Sequence, residues 1–180
     1  VDLHTAQIQG FFDGPVDHLL AMPILTRYVR KNYGKKPLAV VSPDAGRIKV
    51  AEQWARQFDN APLAFIHKTR DVTKANVSKA NRVVGEVEGR TCILVDDLID
   101  TGGTICQAAE ALMNDGAAEV IIVSTHAVFS GEAVNRLKDS VATEVIVTNT
   151  LPLEDDKHFD KLTVLSIAPL LARAVSAVFE

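Results

Sequence analysis

Ile93 to Thr104 (ILVDDLIDTGGT) constrains this chain more tightly than any other segment, because an apolar, β-branched run carries carboxylates into a pair of glycines. Thr91 to Val95 has the composition of a buried parallel strand, and Ile105 to Met113 (ICQAAEALM) that of a helix. A chain passing so quickly from one to the other turns at Gly102 and Gly103, which accept positive φ and let backbone N–H groups crowd about an anion. The positive end of the following helix points at the same place, and Thr101 and Thr104 add hydroxyls, so the turn suits a monophosphate. Asp96, Asp97 and Asp100 would repel that ligand unless they had a separate task. Carboxylates hydrogen-bond vicinal ribose hydroxyls and hold Mg²⁺ directly or through water, so a phosphorylated ribose handled with Mg²⁺ satisfies every group at once. The plainer reading is that Asp100 and Thr101 cap the helix and the aspartate pair is solvated.

Strand-like runs at Leu38–Ser42, Leu63–His67, Thr91–Val95, Val120–Ser124 and Glu144–Thr148 alternate with helical stretches at Ile24–Tyr33, Arg47–Phe58, Ile105–Asn114, Glu132–Lys138 and Ile167–Phe179. Such a βαβ series predicts one α/β domain over residues 1–180, a mostly parallel central sheet flanked by helices. Right-handed crossovers then bring the strand C-termini to one edge, where ligands bind in the crevice. Asp44, Lys68 and Asp96 each follow a different strand run, so three strands aim polar residues at that edge. Asp71 to Lys79 is polar and aperiodic and reads as a mobile loop; Arg82 to Gly89 alternates as an exposed hairpin strand would, with Gly85 a candidate bulge and Gly89 a turn. Leu151 to Lys161 reads as a charged surface loop.

With 180 residues, 47% of them apolar and 23% charged, a single globular core is expected, and no repeat, P-loop or dinucleotide glycine signature is present. A formal net charge of −4 disfavours nucleic acid as a partner without excluding a phosphate ligand, which needs only local N–H groups and a few cations. No apolar run approaches the roughly twenty residues that span a bilayer. Cys92 and Cys106 read as buried thiols, and two cysteines without a secretory signal suit a reducing cytoplasm.

Several further residues invite two readings each. His4 reads as lying just past the end of a strand, where it is either a metal or phosphate ligand or an ordinary histidine. Asp44, between Pro43 and Gly46, is an N-cap on spacing alone. Lys68 and Arg70 lie two apart on an extended segment and so share a side; they either converge on a transferring phosphate or are solvated. Trp54, with Ala51, Ala55 and Phe58, fits one buried helix face. Gln7 to Phe12 is at least as readily core packing and turn as a ligand contact, and Ser130-Gly131 beside His126 gives a weak hint of a subunit contact or phosphate site.

Val95 to Thr104 resembles the 5-phosphoribosyl-1-pyrophosphate (PRPP) loop of the type I phosphoribosyltransferase fold, two acidic residues, two spacers and Asp-Thr-Gly-Gly-Thr. Together with Val1-Asp2-Leu3-His4, Gln7 to Phe12, Ser42 to Gly46, His67 to Arg70 and Ser166 to Leu171, the chain resembles the second half of the ribose-phosphate pyrophosphokinase family. That resemblance implies transfer of the β,γ-pyrophosphoryl group of ATP to the 1-hydroxyl of ribose 5-phosphate, with Mg²⁺ as cofactor. It implies that His4 and Asp44 contact Mg²⁺, that Lys68 and Arg70 are the catalytic pair on a flexible loop, and that Asp96, Asp97, Asp100, Thr101, Gly102, Gly103 and Thr104 bind ribose 5-phosphate. It further implies a homo-oligomer, a hexamer in the intact family protein, and a missing N-terminal half that supplies much of the ATP site. Two departures stand out: Arg47 follows Gly46 where many relatives have a second glycine, and Thr69 lies between Lys68 and Arg70 where many have arginine. A phosphoribosyltransferase that consumes PRPP would share the loop but leaves His4, Asp44 and the Lys68–Arg70 pair unexplained. A non-catalytic PRPP-binding regulatory subunit has no use for the two cations.

Overall fold

The structure, a computed structural model, describes residues 1–69 and 80–179; Arg70 and the loop read at 71–79 lie outside the described residues. Seven strands, β1 (Leu38–Ser42), β2 (Leu63–Thr69), β3 (Ala80–Val84), β4 (Thr91–Ile99), β5 (Glu119–Ala127), β6 (Glu144–Thr148) and β7 (Leu162–Leu165), form one sheet in the order β3-β2-β1-β4-β5-β6-β7. Every neighbouring pair is parallel except β2 and β3, which form an antiparallel hairpin at one edge. The sheet is the mostly parallel α/β arrangement that the strand and helix pattern predicts.

Alternation along the parallel strands sorts the core into two layers. Val40, Ile93, Val95, Ile121 and Ile146 pack beneath α1 (Met22–Tyr33) and α2 (Ile48–Arg56), which contribute Leu25, Val29 and Trp54. Val41, Leu94, Ile122 and Val147 face α3 (Gly103–Asn114) and α4 (Ala133–Asp139), which contribute Leu112 and Leu137. Both faces being covered, these strands read as continuous apolar runs. Both cysteines are buried and unpaired, and burial pushes Cys92 up to about 12 and Cys106 up to about 11, so neither is a reactive thiol. No helix among the described residues is long and apolar enough to cross a membrane.

The structure corrects several expected boundaries. β4 continues past Val95 to Ile99, because its ladder with β5 persists through Asp96 opposite Ser124, Leu98 opposite His126 and Ile99 opposite Ala127. Asp96 and Asp97 therefore ride on a strand and not in the glycine turn. Residues 1–4 form no strand. Asp2, at φ 42, instead satisfies its polar groups locally: its carboxylate accepts from the Ala21 N–H and the Thr125 hydroxyl, both at 2.8 Å, and its carbonyl lies 2.9 Å from His126 Nε2. Phe11 is 90% exposed on a 3₁₀ turn, so the Gln7–Phe12 segment contributes no core packing. The edge strand β7 escaped the sequence because four residues are too few for a period to register. Trp54 is buried as expected.

Candidate active site

The strand order reverses between β1 and β4, which leaves a crevice beyond their C-terminal ends, the place where open α/β sheets bind ligands. A cavity of about 330 Å³ opens there. Its wall takes Asp44 from the end of β1, Lys68 from β2, Asp96 from β4, and Asp100, Thr101, Gly102 and Thr104 from the turn into α3. Residues up to 60 positions apart in sequence thus share one wall.

The turn is built for this. Gly102 has φ 74 and ψ −11, a left-handed conformation that brings the chain from β4 into α3 in three residues. α3 begins at Gly103, so its unpaired N–H groups and positive dipole end face the cavity. Two contacts that the sequence scarcely signalled hold the turn from outside: Arg136 of α4 donates to the Thr101 carbonyl at 2.8 Å, and the Ser130 hydroxyl donates to the Asp100 carboxylate. The Ser130 backbone N–H also bonds the Asp100 carbonyl at 3.0 Å.

Asp44 caps a short 3₁₀ turn, Ala45–Arg47, with Oδ1 accepting the Gly46 N–H at 2.8 Å. Its capping role and a place on the cavity wall coexist. Lys68 is exposed at the mouth. Arg70 is outside the described residues.

The aspartate pair divides. Asp96 lines the cavity, while Asp97 meets His4 and Arg47: Asp97 Oδ2 lies 2.7 Å from His4 Nδ1 and accepts from Arg47 Nη2 at 2.7 Å. Their ionisation divides as well. Burial pushes Asp96 up to about 7, aided by the neighbouring Asp97 carboxylate, against smaller opposing effects of the Asp97 N–H and Arg47. Burial opposes the charge of Asp97 too, but hydrogen bonds from the Asp96 carboxyl, His4 and Arg47 outweigh it and hold Asp97 below its ordinary value.

His4 and Asp44, which the resemblance assigns to one metal, thus have different neighbours. Among the described residues no group of three or more His, Cys, Asp or Glu side chains is arranged to hold a metal ion. The cavity nevertheless suits Mg²⁺: its donors are carboxylate and hydroxyl oxygens, and Mg²⁺ ordinarily takes one or two protein carboxylates and completes its shell with water and substrate phosphate.

A strand–glycine turn–helix with cavity-lining carboxylates at the switch point of this sheet defines a type I phosphoribosyltransferase-like domain. Residues 55–180 match the family described as the phosphoribosyl synthetase-associated domain, and the chain belongs to that family. It is 60% identical over its whole length to a ribose-phosphate pyrophosphokinase of Bifidobacterium longum, and covers 54% of that protein. It also superimposes on a phosphoribosylpyrophosphate synthetase from Mycobacterium smegmatis with a TM-score of 0.90, at 58% identity, over 98% of this chain and 56% of the other. An APRTase from Giardia lamblia matches at a TM-score of 0.52 and 15% identity, over 71% of this chain and 77% of that one, which is a likeness of fold alone. The chain spans about half the length of the curated relatives it matches.

Proposed function

We propose that this chain carries the ribose 5-phosphate face of a ribose-phosphate diphosphokinase of nucleotide biosynthesis, working with Mg²⁺ and ATP in the cytoplasm. The observation that carries the reading is the convergence of Asp44, Lys68, Asp96 and the Asp100–Thr104 turn on one cavity. A domain that consumed PRPP would share the turn but leaves the joint presence of His4, Asp44 and Lys68 unexplained, and no observation here favours it.

In this reading the N–H groups and hydroxyls of Thr101 to Thr104 hold the 5-phosphate, and Asp96 and Asp100 accept from the ribose hydroxyls. The oxygen of the 1-hydroxyl attacks the β-phosphorus of ATP, the bond from that phosphorus to the AMP oxygen breaks, and PRPP and AMP result. Lys68, with Arg70 beside it in sequence, balances the charge that spreads over the transferring oxygens. His4 and Asp44 would hold Mg²⁺, as the resemblance implies, and the ion when bound supplies further charge neutralisation on the phosphates. The resemblance assigns much of the ATP contact to the portion of the relatives that this chain does not span, and implies a homo-oligomeric assembly of the intact family protein. The test is calorimetric titration with ribose 5-phosphate and Mg²⁺, run beside an assay of AMP release on adding ATP. Saturable binding of ribose 5-phosphate that PRPP displaces supports the reading; folded protein that binds neither overturns the assignment of the phosphate turn.

A further inference from the structure

His4 is the least conventional member of the site, because its carrier segment is neither strand nor helix. That segment is nonetheless tied down. Asp2 is bonded to Leu19, Ala21, Thr125 and His126, and the Leu3 N–H donates to His18 Nε2 at 2.8 Å. The imidazole is held by one edge. Its Nδ1 lies 2.7 Å from Asp97 Oδ2, and Arg47 Nη2 lies 2.7 Å from that same oxygen and 2.9 Å from Nδ1.

Three polar atoms in mutual contact need their protons apportioned. A guanidinium only donates, and an ionised carboxylate only accepts. A bare Nδ1 could accept from Arg47 Nη2 at 2.9 Å, but its lone pair would then face a lone pair of Oδ2 at the shorter distance of 2.7 Å. With hydrogen on Nδ1, Asp97 Oδ2 becomes the common acceptor of two donors, His4 and Arg47. The side-chain exposures agree with a clamp closed at one end: Asp97 is 11% exposed, Arg47 24% and His4 59%.

We propose that Asp97 and Arg47 are positioning residues for His4: Arg47 holds the Asp97 carboxylate in place, and Asp97 fixes the imidazole as its Nδ1–H tautomer, so that Nε2 presents its lone pair to a divalent cation. Asp97 then serves the ligand through His4 and leaves the ribose hydroxyls to Asp96 and Asp100. Carboxylate-backed histidines at metal sites work in this way, the second nitrogen donating to a carboxylate that sets ring orientation. The cation half of this inference rests on the function proposed above, whereas the tautomer half needs no ligand.

The test is ¹⁵N NMR of the histidine rings in the full 180-residue chain at pH 8, with His4 assigned by loss of its signals in His4→Asn. The expected spectrum shows His4 with a pyrrole-type Nδ1 and a pyridine-type Nε2, the reverse of the form that free histidine favours. Asp97→Asn lets an amide N–H donate to Nδ1 and should invert that pattern. In the same variant Mn²⁺ affinity, read by paramagnetic broadening in the presence of ribose 5-phosphate, should fall about 10- to 100-fold. Arg47→Ala should lower Mn²⁺ affinity in the same direction, and Arg47→Lys should recover part of the loss. A bare Nδ1 in the unaltered protein overturns the proposal. So does an inverted tautomer in Asp97→Asn with Mn²⁺ affinity unchanged, and so does a loss of ribose 5-phosphate binding without any change of the His4 spectrum. If the unaltered chain shows the Nδ1–H form yet binds no ribose 5-phosphate, the clamp stands and the proposed function falls.

Discussion

Alanine at Gly102 separates what the phosphate turn owes to its conformation from what it owes to space. A Cβ added there would meet Ala133 Cα and O at 3.5 Å, ordinary van der Waals contact, so nothing obstructs the side chain. The cost lies in φ 74, where an L-residue gives up roughly 1–2 kcal/mol. Gly89 supplies the matching control: its φ is 67, no atom lies within 4 Å of the added Cβ, and it precedes β4 at the other end of that strand. Both variants should lose about the same stability, a fall in Tm of roughly 2–8 °C at about 2–4 °C per kcal/mol for a chain of this size. Their ligand affinities should differ. Gly102→Ala can relieve its strain only by turning the backbone N–H groups of the turn away from the phosphate. Losing one hydrogen bond to a charged group, worth about 1.5–3 kcal/mol, weakens ribose 5-phosphate binding by roughly 10- to 150-fold. Gly89→Ala should bind as the unaltered chain does. Thermal melts and calorimetry on the pair decide the matter. Equal affinity in both variants, at the stability loss stated, would refute the argument that the left-handed turn creates the phosphate site.

Three other outcomes are expected. In an otherwise complete enzyme, Lys68→Ala should reduce turnover by at least ~10² while far-UV circular dichroism and Tm stay unchanged, and unaltered turnover there would remove Lys68 from the chemistry. Asp96 keeps its proton in the folded chain up to about 7 against an ordinary 3.8, so between those values the folded state binds more protons and stability falls as pH rises; Asp96→Asn should flatten that fall and raise stability at pH 8 by a few kcal/mol in urea titrations, and an unchanged pH profile would show that Asp96 is not the group responsible. Trp54→Ala, emptying the layer beneath α2, should cost about 3–5 kcal/mol in the same assay, and a cost below about 1 kcal/mol would contradict its place in the core.

Much of the architecture is legible because it is written in local patterns. Val40-Val41, Ile93-Leu94-Val95 and Ile121-Ile122-Val123 are apolar at every position since parallel strands here are covered on both faces, and Leu25 and Val29 mark the buried side of α1. The carboxylate–Gly-Gly–helix motif is equally local, three residues between strand and helix, so its chemistry can be read before any fold is known. Where the reading failed, the interactions are remote. Asp96 and Asp97 have the character of loop residues and by pattern end β4 at Val95, yet the ladder with β5 carries them on as strand. Asp2 has a strand-like setting in sequence, but its partners Thr125 and His126 lie on β5, more than 120 residues away.

The sharpest case is Arg47. As a residue after Gly46 it signals only a departure from a familiar motif, whereas in the fold it bridges His4 and Asp97, 43 and 50 positions away. Hydrophobic period and glycine conformation depend on neighbours within a few bonds, which is why the sequence alone sufficed for the fold class and for the glycine turn into α3. Which carboxylate of the pair faces the cavity and which one meets a cation depends on strand order, on the register of β4 against β5, and on where α2 starts. Those are properties of the packed sheet, since two side chains far apart in the chain acquire a common electrostatic environment only when the core brings their strands together.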